Sequence, residues 1–356
     1  MNFGKFDNLV ASFHKYTLHF KQPSGTSRGV LRTKDSYFIT VYEKGNPTVK
    51  GLGECGLLRG LSVDNRPDYE EKLQAVCTRI GDYGAWLEDG LREFPSIHFG
   101  LEMALLDLEK RGSKVLFPSA FTEGKATIPI NGLIWMGNMG FMFEQIQRKL
   151  DAGFRCIKMK IGAIDFKQEL DLLRSIRAKF PKEQVELRVD ANGAFSFCHV
   201  VYILEALSKL DIHSIEQPIK AGNWVEMADL CRDTPIPIAL DEELIGVFDR
   251  EDKIDLLDTV KPQYVIFKPS FIGGIKGTSE WLQLAEERGI GWWNTSALES
   301  NVGLSAIAQW TATLDNPLPQ GLGTGQLYTN NIESPLFIEG DALGFDVDGV
   351  WDFPAV

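Results

Sequence analysis

The first third of the chain carries an irregular order of strand-like and helix-like hydrophobic patterns. Tyr16, Leu18 and Phe20 alternate with polar residues, which is the period of a strand with one buried face. Similar reasoning predicts strands at about 16–20, 36–42 and 51–55, followed by helices at about 68–80 and 96–111. The first 124 residues are therefore expected to form an α+β domain in which a strand meander precedes the helices.

From about residue 126 the pattern changes to a regular alternation of short apolar runs and helical spacings. The predicted strands lie at 126–131, 154–158, 185–189, 212–215, 237–240, 264–267, 291–294 and 320–323. Strands that alternate with helices at this spacing predict an α/β fold, here a (β/α) barrel of the TIM type over residues 125–336. The barrel is expected to be modified, because no helical pattern follows the last strand. The tail, about 337–356, is predicted to pack back on the first domain and complete it as a capping domain.

Composition and charge narrow the classes of function. The formal net charge of −12 argues against nucleic acid as a partner, because binding phosphates requires a basic surface. A small anionic substrate stays compatible, since a metal ion and local lysines can reverse the field inside a pocket. No C-x-x-C pair, signal peptide or membrane-length apolar stretch is apparent, so a cytoplasmic protein without a membrane partner is expected. The sequence does not indicate an oligomeric state.

Charged residues follow the predicted barrel strands at a regular interval. They are Lys158, Lys160, Asp190, Glu216, Asp241 and Lys268. From Lys160 onward the steps are 30, 26, 25 and 27 residues, about the length of one strand and one helix. Because the carboxyl ends of barrel strands meet at one mouth, these side chains are expected to converge there.

The acidic members of this set suggest a metal site. Any one of Asp190, Glu216 and Asp241 is most simply interpreted as an exposed acid at a strand end. Because all three follow successive predicted barrel strands, they instead favour a binding site for a hard divalent cation, since carboxylate oxygens suit Mg²⁺. The sequence thus predicts a site for Mg²⁺, with Mn²⁺ as an alternative.

The lysines suggest proton transfer. Lys158 and Lys160 are two residues apart on a strand, so both side chains lie on one face while Met159 points away. A second lysine and a dication are expected to lower the pKa of an ammonium group, which would make a lysine usable as a base. With Lys268 on the opposite side, the arrangement suits removal of a proton next to a carboxylate to give an enediolate.

The complete set of strand-end residues resembles the enolase superfamily, in particular its muconate-lactonizing subgroup. Gly51-Leu52-Gly53-Glu54 resembles a motif of that subgroup's capping domain, and residues 99–107 resemble its capping-domain helix. The resemblance covers nearly the whole chain. It implies a Mg²⁺-dependent enzyme in which Asp190, Glu216 and Asp241 bind the metal.

Residues 296–304, Ser-Ala-Leu-Glu-Ser-Asn-Val-Gly-Leu, resemble the seventh-strand element of o-succinylbenzoate synthases and related N-acylamino acid racemases. The first family implies a carbon–oxygen lyase that makes o-succinylbenzoate by syn dehydration of a cyclohexadiene carboxylate, in menaquinone biosynthesis. Lys160 would then be the base and the proton donor to the departing hydroxyl. Lys268 would stabilise the enediolate, and Lys158 would contact the substrate carboxylate.

Other functions remain open at this point. An N-acylamino acid racemase or dipeptide epimerase would use the same lysines, but the epimerases hold a substrate ammonium with an acidic pair on the eighth strand. Here that stretch, 321–327, contains no acid. A muconate cycloisomerase is a further alternative, and a metal-binding barrel without catalysis is disfavoured by the opposed lysines.

Substrate-binding residues are harder to identify. Two loops, at 24–29 and 56–62, are expected to close over the pocket. The candidates for substrate contacts are Arg28, Gly273, Asn294, Ser296 and Glu299. Asn192, two residues after Asp190, is expected to support the metal ligands from behind.

Overall fold

The computed structural model describes residues 3–26 and 29–353. The strands are β1 Leu9–Thr26, β2 Gly29–Glu43, β3 Lys50–Cys55, β4 Ile128–Pro129, β5 Gly132–Ile134, β6 Cys156–Lys160, β7 Glu186–Asp190, β8 Ser214–Glu216, β9 Ile238–Leu240, β10 Tyr264–Phe267, β11 Gly291–Asn294, β12 Leu336–Glu339 and β13 Ala342–Phe345. The α-helices are α1 Tyr69–Thr78, α2 Tyr83–Ala85, α3 Pro95–Glu109, α4 Met139–Asp151, α5 Phe166–Lys179, α6 Phe197–Ser208, α7 Trp224–Asp233, α8 Arg250–Val260, α9 Gly274–Glu286 and α10 Asn301–Thr311. Within the described ranges, no helix has the length and apolar character needed to cross a membrane.

The N-terminal sheet is an antiparallel meander in the order β1-β2-β3, packed on α3. Strand β3 approaches α3 so closely that side chains are excluded at two positions. A Cβ at Gly51 would overlap the carbonyl oxygen of Ala104, and one at Gly53 would overlap that of Gly100. The glycines of the Gly-x-Gly-Glu motif are therefore required by backbone packing.

The second part of the chain is a parallel barrel, which confirms the predicted fold class. Its sheet has the order β11-β10-β9-β8-β7-β6-β5. Residues 320–321 close the gap between the outer strands, since Gln320 bridges Ile130 and Gly321 bridges Thr295, both in parallel orientation. The predicted eighth strand thus occupies its expected place, but it pairs through single bridges.

The first barrel strand differs from the prediction in its pairing, and the tail contacts the predicted first domain through Phe345 and Phe121. Ile128–Pro129, within the predicted first barrel strand, pairs instead with β13, and Gly132–Ile134 pairs with β6. The tail hairpin β12–β13 therefore packs beside the start of the barrel. The contact with the N-terminal sheet comes from earlier residues, 327–330, where Phe20 bridges Tyr328. Local apolar pattern could not distinguish these partners, because the pairing is decided by residues far apart in the chain.

Arg188 closes the lower part of the barrel interior. Its guanidinium lies 4.2 Å from the centre of the Trp293 ring, and its Nε donates to Glu186 at 2.6 Å. Its Nη1 donates to the carbonyl of Pro319 at 2.9 Å. Because this layer is filled by stacked side chains, the barrel is open only at the carboxyl ends of its strands.

Glu54, the acid of the Gly-x-Gly-Glu motif, joins the N-terminal domain to the barrel. Its buried carboxylate accepts hydrogen bonds from the backbone N–H groups of Ser300 and Gly303, both at 2.9 Å, and from the Ser300 hydroxyl at 2.5 Å. These donors form the first turn of α10. A carboxylate at a helix N-terminus satisfies unpaired N–H groups and complements the helix dipole.

Glu102 of α3 makes an equivalent contact with α9. Its carboxylate accepts from the N–H groups of Ile275 at 2.6 Å and Lys276 at 3.0 Å, which open that helix. Gly274 has no room for a side chain there, because a Cβ would overlap the Glu102 carboxylate. Two acids of the N-terminal domain therefore cap two barrel helices.

We predict that Glu54→Ala lowers the free energy of unfolding by about 3 kcal/mol, because it strands buried N–H donors at the start of α10. Urea denaturation of the full chain measures this change. Glu123→Ala is the control, since that exposed acid pairs with Lys125 at the surface and its loss should cost less than about 0.5 kcal/mol. Equal midpoints for the two variants would contradict the capping role.

Candidate active site

The strand-end residues predicted from the sequence converge at the mouth of the barrel. Lys160 on β6 is in register with Asp190 on β7, which is in register with Glu216 on β8. Asp241 directly follows β9 and Lys268 directly follows β10. The parallel ladder therefore sets all of these side chains at one edge of the sheet.

The lysines and acids are buried together and paired. The Lys158 ammonium lies 3.1 Å from Asp190 and also contacts the Glu216 carboxylate. Lys160 donates to Asp190 and to the Asn192 amide oxygen, both at 2.7 Å. Lys268 pairs with Asp241. Each ammonium thus has a carboxylate partner, which is the condition for burying so many charges.

Neighbouring carboxylates raise the pKa of Lys158 and of Lys268 above the ordinary value. Burial lowers the pKa of Lys158, but the neighbouring carboxylates Asp190 and Glu216 raise it more, so the net pKa lies above its ordinary value. For Lys268 burial is likewise outweighed, mainly by Asp241. The lowering expected for the base lysine included the charge of a bound dication, so it stays a prediction.

The acids have the chemistry of a site for a hard cation. Burial and the nearby Asp190 raise the pKa of Glu216 well above its ordinary value, and neither Glu216 oxygen accepts a well-directed hydrogen bond. In the described part of the chain no three Asp, Glu, His or Cys side chains form a ready-made metal cluster. Lysine ammonium groups contact these carboxylates in the structure. The oxygen ligands that the carboxylates present from successive strands nevertheless fit Mg²⁺.

A cavity of about 730 Å³ lies above these charges. Lys158, Lys160, Asp190 and Lys268 line its charged side. Its remaining walls include Asn131, Leu133, Trp135, Phe271, Thr295, Ala297, Leu298, Gly321, Gly323 and Thr324. Both predicted loops border it, although the first is the end of the β1–β2 hairpin. The volume suits a small organic substrate.

Ser296, predicted as a substrate contact, and Asn192, predicted to support the metal ligands from behind, both line the cavity. Ser296 lines the cavity, and its hydroxyl accepts from the Leu298 N–H and the Thr324 hydroxyl, both at 2.9 Å. Its own proton is therefore available to a ligand. Asn192 lines the cavity beside Lys160. Arg28, another predicted contact, lies outside the described residues.

The other predicted substrate contacts do not line this cavity. The Asn294 side chain points out of the barrel and donates to Thr311 of α10 at 2.8 Å. Glu299 is fully buried beside Gly56 and accepts from Ser270, and burial raises its pKa. Gly273 precedes α9 with a φ of 96° and serves the chain reversal. These residues follow active-site strands in sequence, but the alternation of side chains and the domain contact direct them elsewhere.

Several cavity residues were missed. Asn131, Leu133 and Trp135 recur with the two-residue period of a strand beside β6, and the Lys160 ammonium is 5.9 Å from the centre of the Trp135 ring. The period that assigned Lys158 and Lys160 to one face could have identified them. The predicted first barrel strand, 126–131, ends before Leu133 and Trp135, so the sequence did not indicate these residues at the cavity.

Comparison with known proteins agrees with this geometry. The family model described as enolase C-terminal domain-like matches residues 142–343. The chain is 47% identical to the o-succinylbenzoate synthase of Desulfotalea psychrophila, over 94% of this chain and 99% of that protein. It is 30% identical to the L-amino acid-D/L-Glu epimerase of Francisella philomiragia, over 75% of this chain and 77% of that protein.

A solved structure gives the same match. The crystal structure of MenC from Desulfotalea psychrophila superposes with a TM-score of 0.85 at 42% sequence identity. The alignment covers 95% of this chain and 100% of that chain. The similarity therefore includes the capping domain as well as the barrel.

We predict that Lys158→Met, measured in the presence of a chelator, lowers the free energy of unfolding by about 3 kcal/mol, because it leaves the buried Asp190 and Glu216 without their shared cation. Lys149→Met is the control. That lysine lies outside the charged cluster, 4.4 Å from the centre of the Phe154 ring, and its replacement should cost less than about 1 kcal/mol. A Lys158 variant as stable as the control would show that the lysine does not balance the acids.

Proposed function

The chain belongs to the enolase superfamily, and from that premise we propose that it forms o-succinylbenzoate by removing water from a cyclohexadiene carboxylate. The observation that carries this proposal is the position of Lys160 and Lys268 around the barrel. Strands β6 and β10 are separated by β7, β8 and β9 in the sheet, so the lysines stand on opposite sides of the mouth. The acids that could hold a metal ion lie on or directly after the strands between them.

The wall opposite the acids favours a substrate without a cationic end. Gly321 and Gly323 line the cavity on the eighth strand, and the nearby hydroxyls of Thr295, Ser296 and Thr324 are neutral. A free ammonium group would be desolvated there without a counter-charge. A side chain without a cationic end, such as a succinyl group, therefore fits this wall better than the free amine of a dipeptide.

Lys160 is placed to move the proton. As the free amine it would take the proton from the ring carbon next to the substrate carboxylate, leaving an enediolate. The resulting ammonium would then give that proton to the hydroxyl on the neighbouring carbon, which departs as water as the ring becomes aromatic. Asp190 and Asn192 hold its Nζ at 2.7 Å, which fixes the position of the base.

Lys268 and Lys158 would act by charge. Carboxylates keep the pKa of both above the ordinary value, so both are ammonium ions at neutral pH in this arrangement. Lys268 lies 5.8 Å from the centre of the Phe271 ring, at the cavity wall, where its charge would stabilise an enediolate. Lys158 would contact the substrate carboxylate from below.

We further propose that Asp190, Glu216 and Asp241 hold Mg²⁺, with Mn²⁺ as a substitute. When bound, the ion would supply positive charge to the substrate carboxylate. The chain's own part is to present oxygen ligands from successive strands. The substrate is a small organic anion, and the product would serve menaquinone biosynthesis.

The direct test is conversion of the cyclohexadiene acid to the aromatic product, followed by absorbance with Mg²⁺ present. We predict that Lys160→Ala removes nearly all turnover, a loss of at least about 10³-fold, because no other group replaces the base. Binding of Mg²⁺ by calorimetry should be retained in that variant. Turnover near the normal rate would refute the assignment of Lys160, and a wild-type chain inactive on this acid would refute the function.

A second assay separates dehydration from racemisation, which needs an acid and a base on opposite faces of the substrate. We predict that Lys268→Arg retains more dehydration than racemisation of N-succinyl amino acids, because arginine keeps the charge but does not exchange the proton. The two rates are compared in one preparation, with wild type as the reference. An equal fractional loss of both activities would contradict a purely electrostatic role for Lys268.

A further inference from the structure

Asn131 is a buried amide in the cavity that the proposed mechanism does not use. Its side chain is 4% exposed and lines the cavity. Among the described residues no side-chain or backbone group forms a hydrogen bond with its amide, and Oδ1 is sealed from solvent. Nδ2 is not sealed in this way, and a donor left without a partner in a buried amide costs about 1–3 kcal/mol, so an acceptor from the cavity would be stabilising.

The backbone fixes Asn131 in this position. Its N–H donates to the carbonyl of Gln320 at 3.0 Å, and Gly132 next to it pairs with Ile157 of β6. The side chain cannot turn to the outside of the barrel, because Leu133 and Trp135 continue the same inward face. Asn131 is thus held between the eighth strand and the strand that carries the catalytic lysine.

The sheet order indicates which part of a substrate reaches Asn131. Its strand is separated from β9 by β6, β7 and β8, so it stands across the barrel from the strand that Asp241 follows. A carboxylate that contacts Lys158 and the metal ion on the acids would direct the rest of the substrate to this side. The hydroxyl of Thr295, also without a partner, lies on the same side over Gly321.

We infer that Asn131 binds the uncharged carbonyl oxygen of the substrate's acyl side chain, with its Nδ2 as donor. A neutral amide matches a ketone, which accepts a hydrogen bond and carries no charge. The acyl chain would then be fixed relative to Lys160, and side chains without this oxygen would bind less tightly. This inference rests on the proposed function, because that function supplies the acyl ketone.

The test compares two ligands that differ only at this oxygen. One is o-succinylbenzoate, and the other is 2-(3-carboxypropyl)benzoate, in which a methylene group replaces the ketone. Calorimetry with the full chain and Mg²⁺ should show wild type binding the ketone about fivefold to tenfold more tightly. Asn131→Leu, which keeps the size of the side chain, should bind both ligands equally, and so should Asn131→Ala if the leucine variant does not fold.

Asn294→Ala is the matched control, because it removes an amide from a barrel strand on the outer face. It should lower the melting temperature but keep the preference for the ketone. If the Asn131 variants keep that preference, or if wild type has none, Asn131 binds only water or serves packing, and the inference is wrong while the function stands. If wild type binds neither ligand, the proposed function itself is wrong.

Discussion

The arrangement of the site depends on neutralising buried charges at the mouth of the barrel. Three lysines and three carboxylates lie there, and none would be stable in that position without the others. The parallel ladder makes the pairing possible, because it brings successive strand ends to one level. The stacked pair of Arg188 and Trp293 below them fills the rest of the interior. The charges therefore face a cavity that opens on one side only. A substrate carboxylate and a metal ion that enter there would add to the set of charges that neutralise one another.

The capping domain is attached by the same kind of interaction, a buried carboxylate that meets positive partners. Glu54 and Glu102 receive the N-terminal N–H groups of α10 and α9, the helices that follow β11 and β10. Because those strands carry cavity residues at their ends, the docking of the capping domain and the shape of the site are coupled. The coupling extends to the loops at the cavity: Leu58 lies shortly after β3, and residues of the β1–β2 hairpin also line the cavity.

The charged residues of the site could be predicted from sequence because each stands at the end of an apolar run and their spacing matches one strand and one helix. The same reasoning placed the barrel and its eight segments. It failed for Asn294, the last residue of β11, and for Glu299, since a position at or after a strand end does not by itself say which way a side chain points. It also missed Asn131, because the start of the first barrel strand is decided by pairing with β13 and β6. Pairing between distant segments is not encoded in local pattern.

The structure separates the chemistry of the reaction from the choice of substrate. The acids and lysines occupy β6 to β10 and would serve any reaction that begins with removal of a proton next to a carboxylate. Selection among substrates must then come from the remaining wall of the cavity, which is formed by β11, residues 320–324 and the residues next to β5. This wall presents hydroxyls, an amide and glycines to the cavity. The surroundings of the lysines also differ. Lys160 is shared between a carboxylate and the neutral Asn192 amide, whereas Lys268 pairs with Asp241, which raises its pKa. Under the proposed function, Lys160 would exchange the proton and Lys268 would contribute its charge. A syn dehydration requires no second base, because a single base can act on both leaving groups from one face.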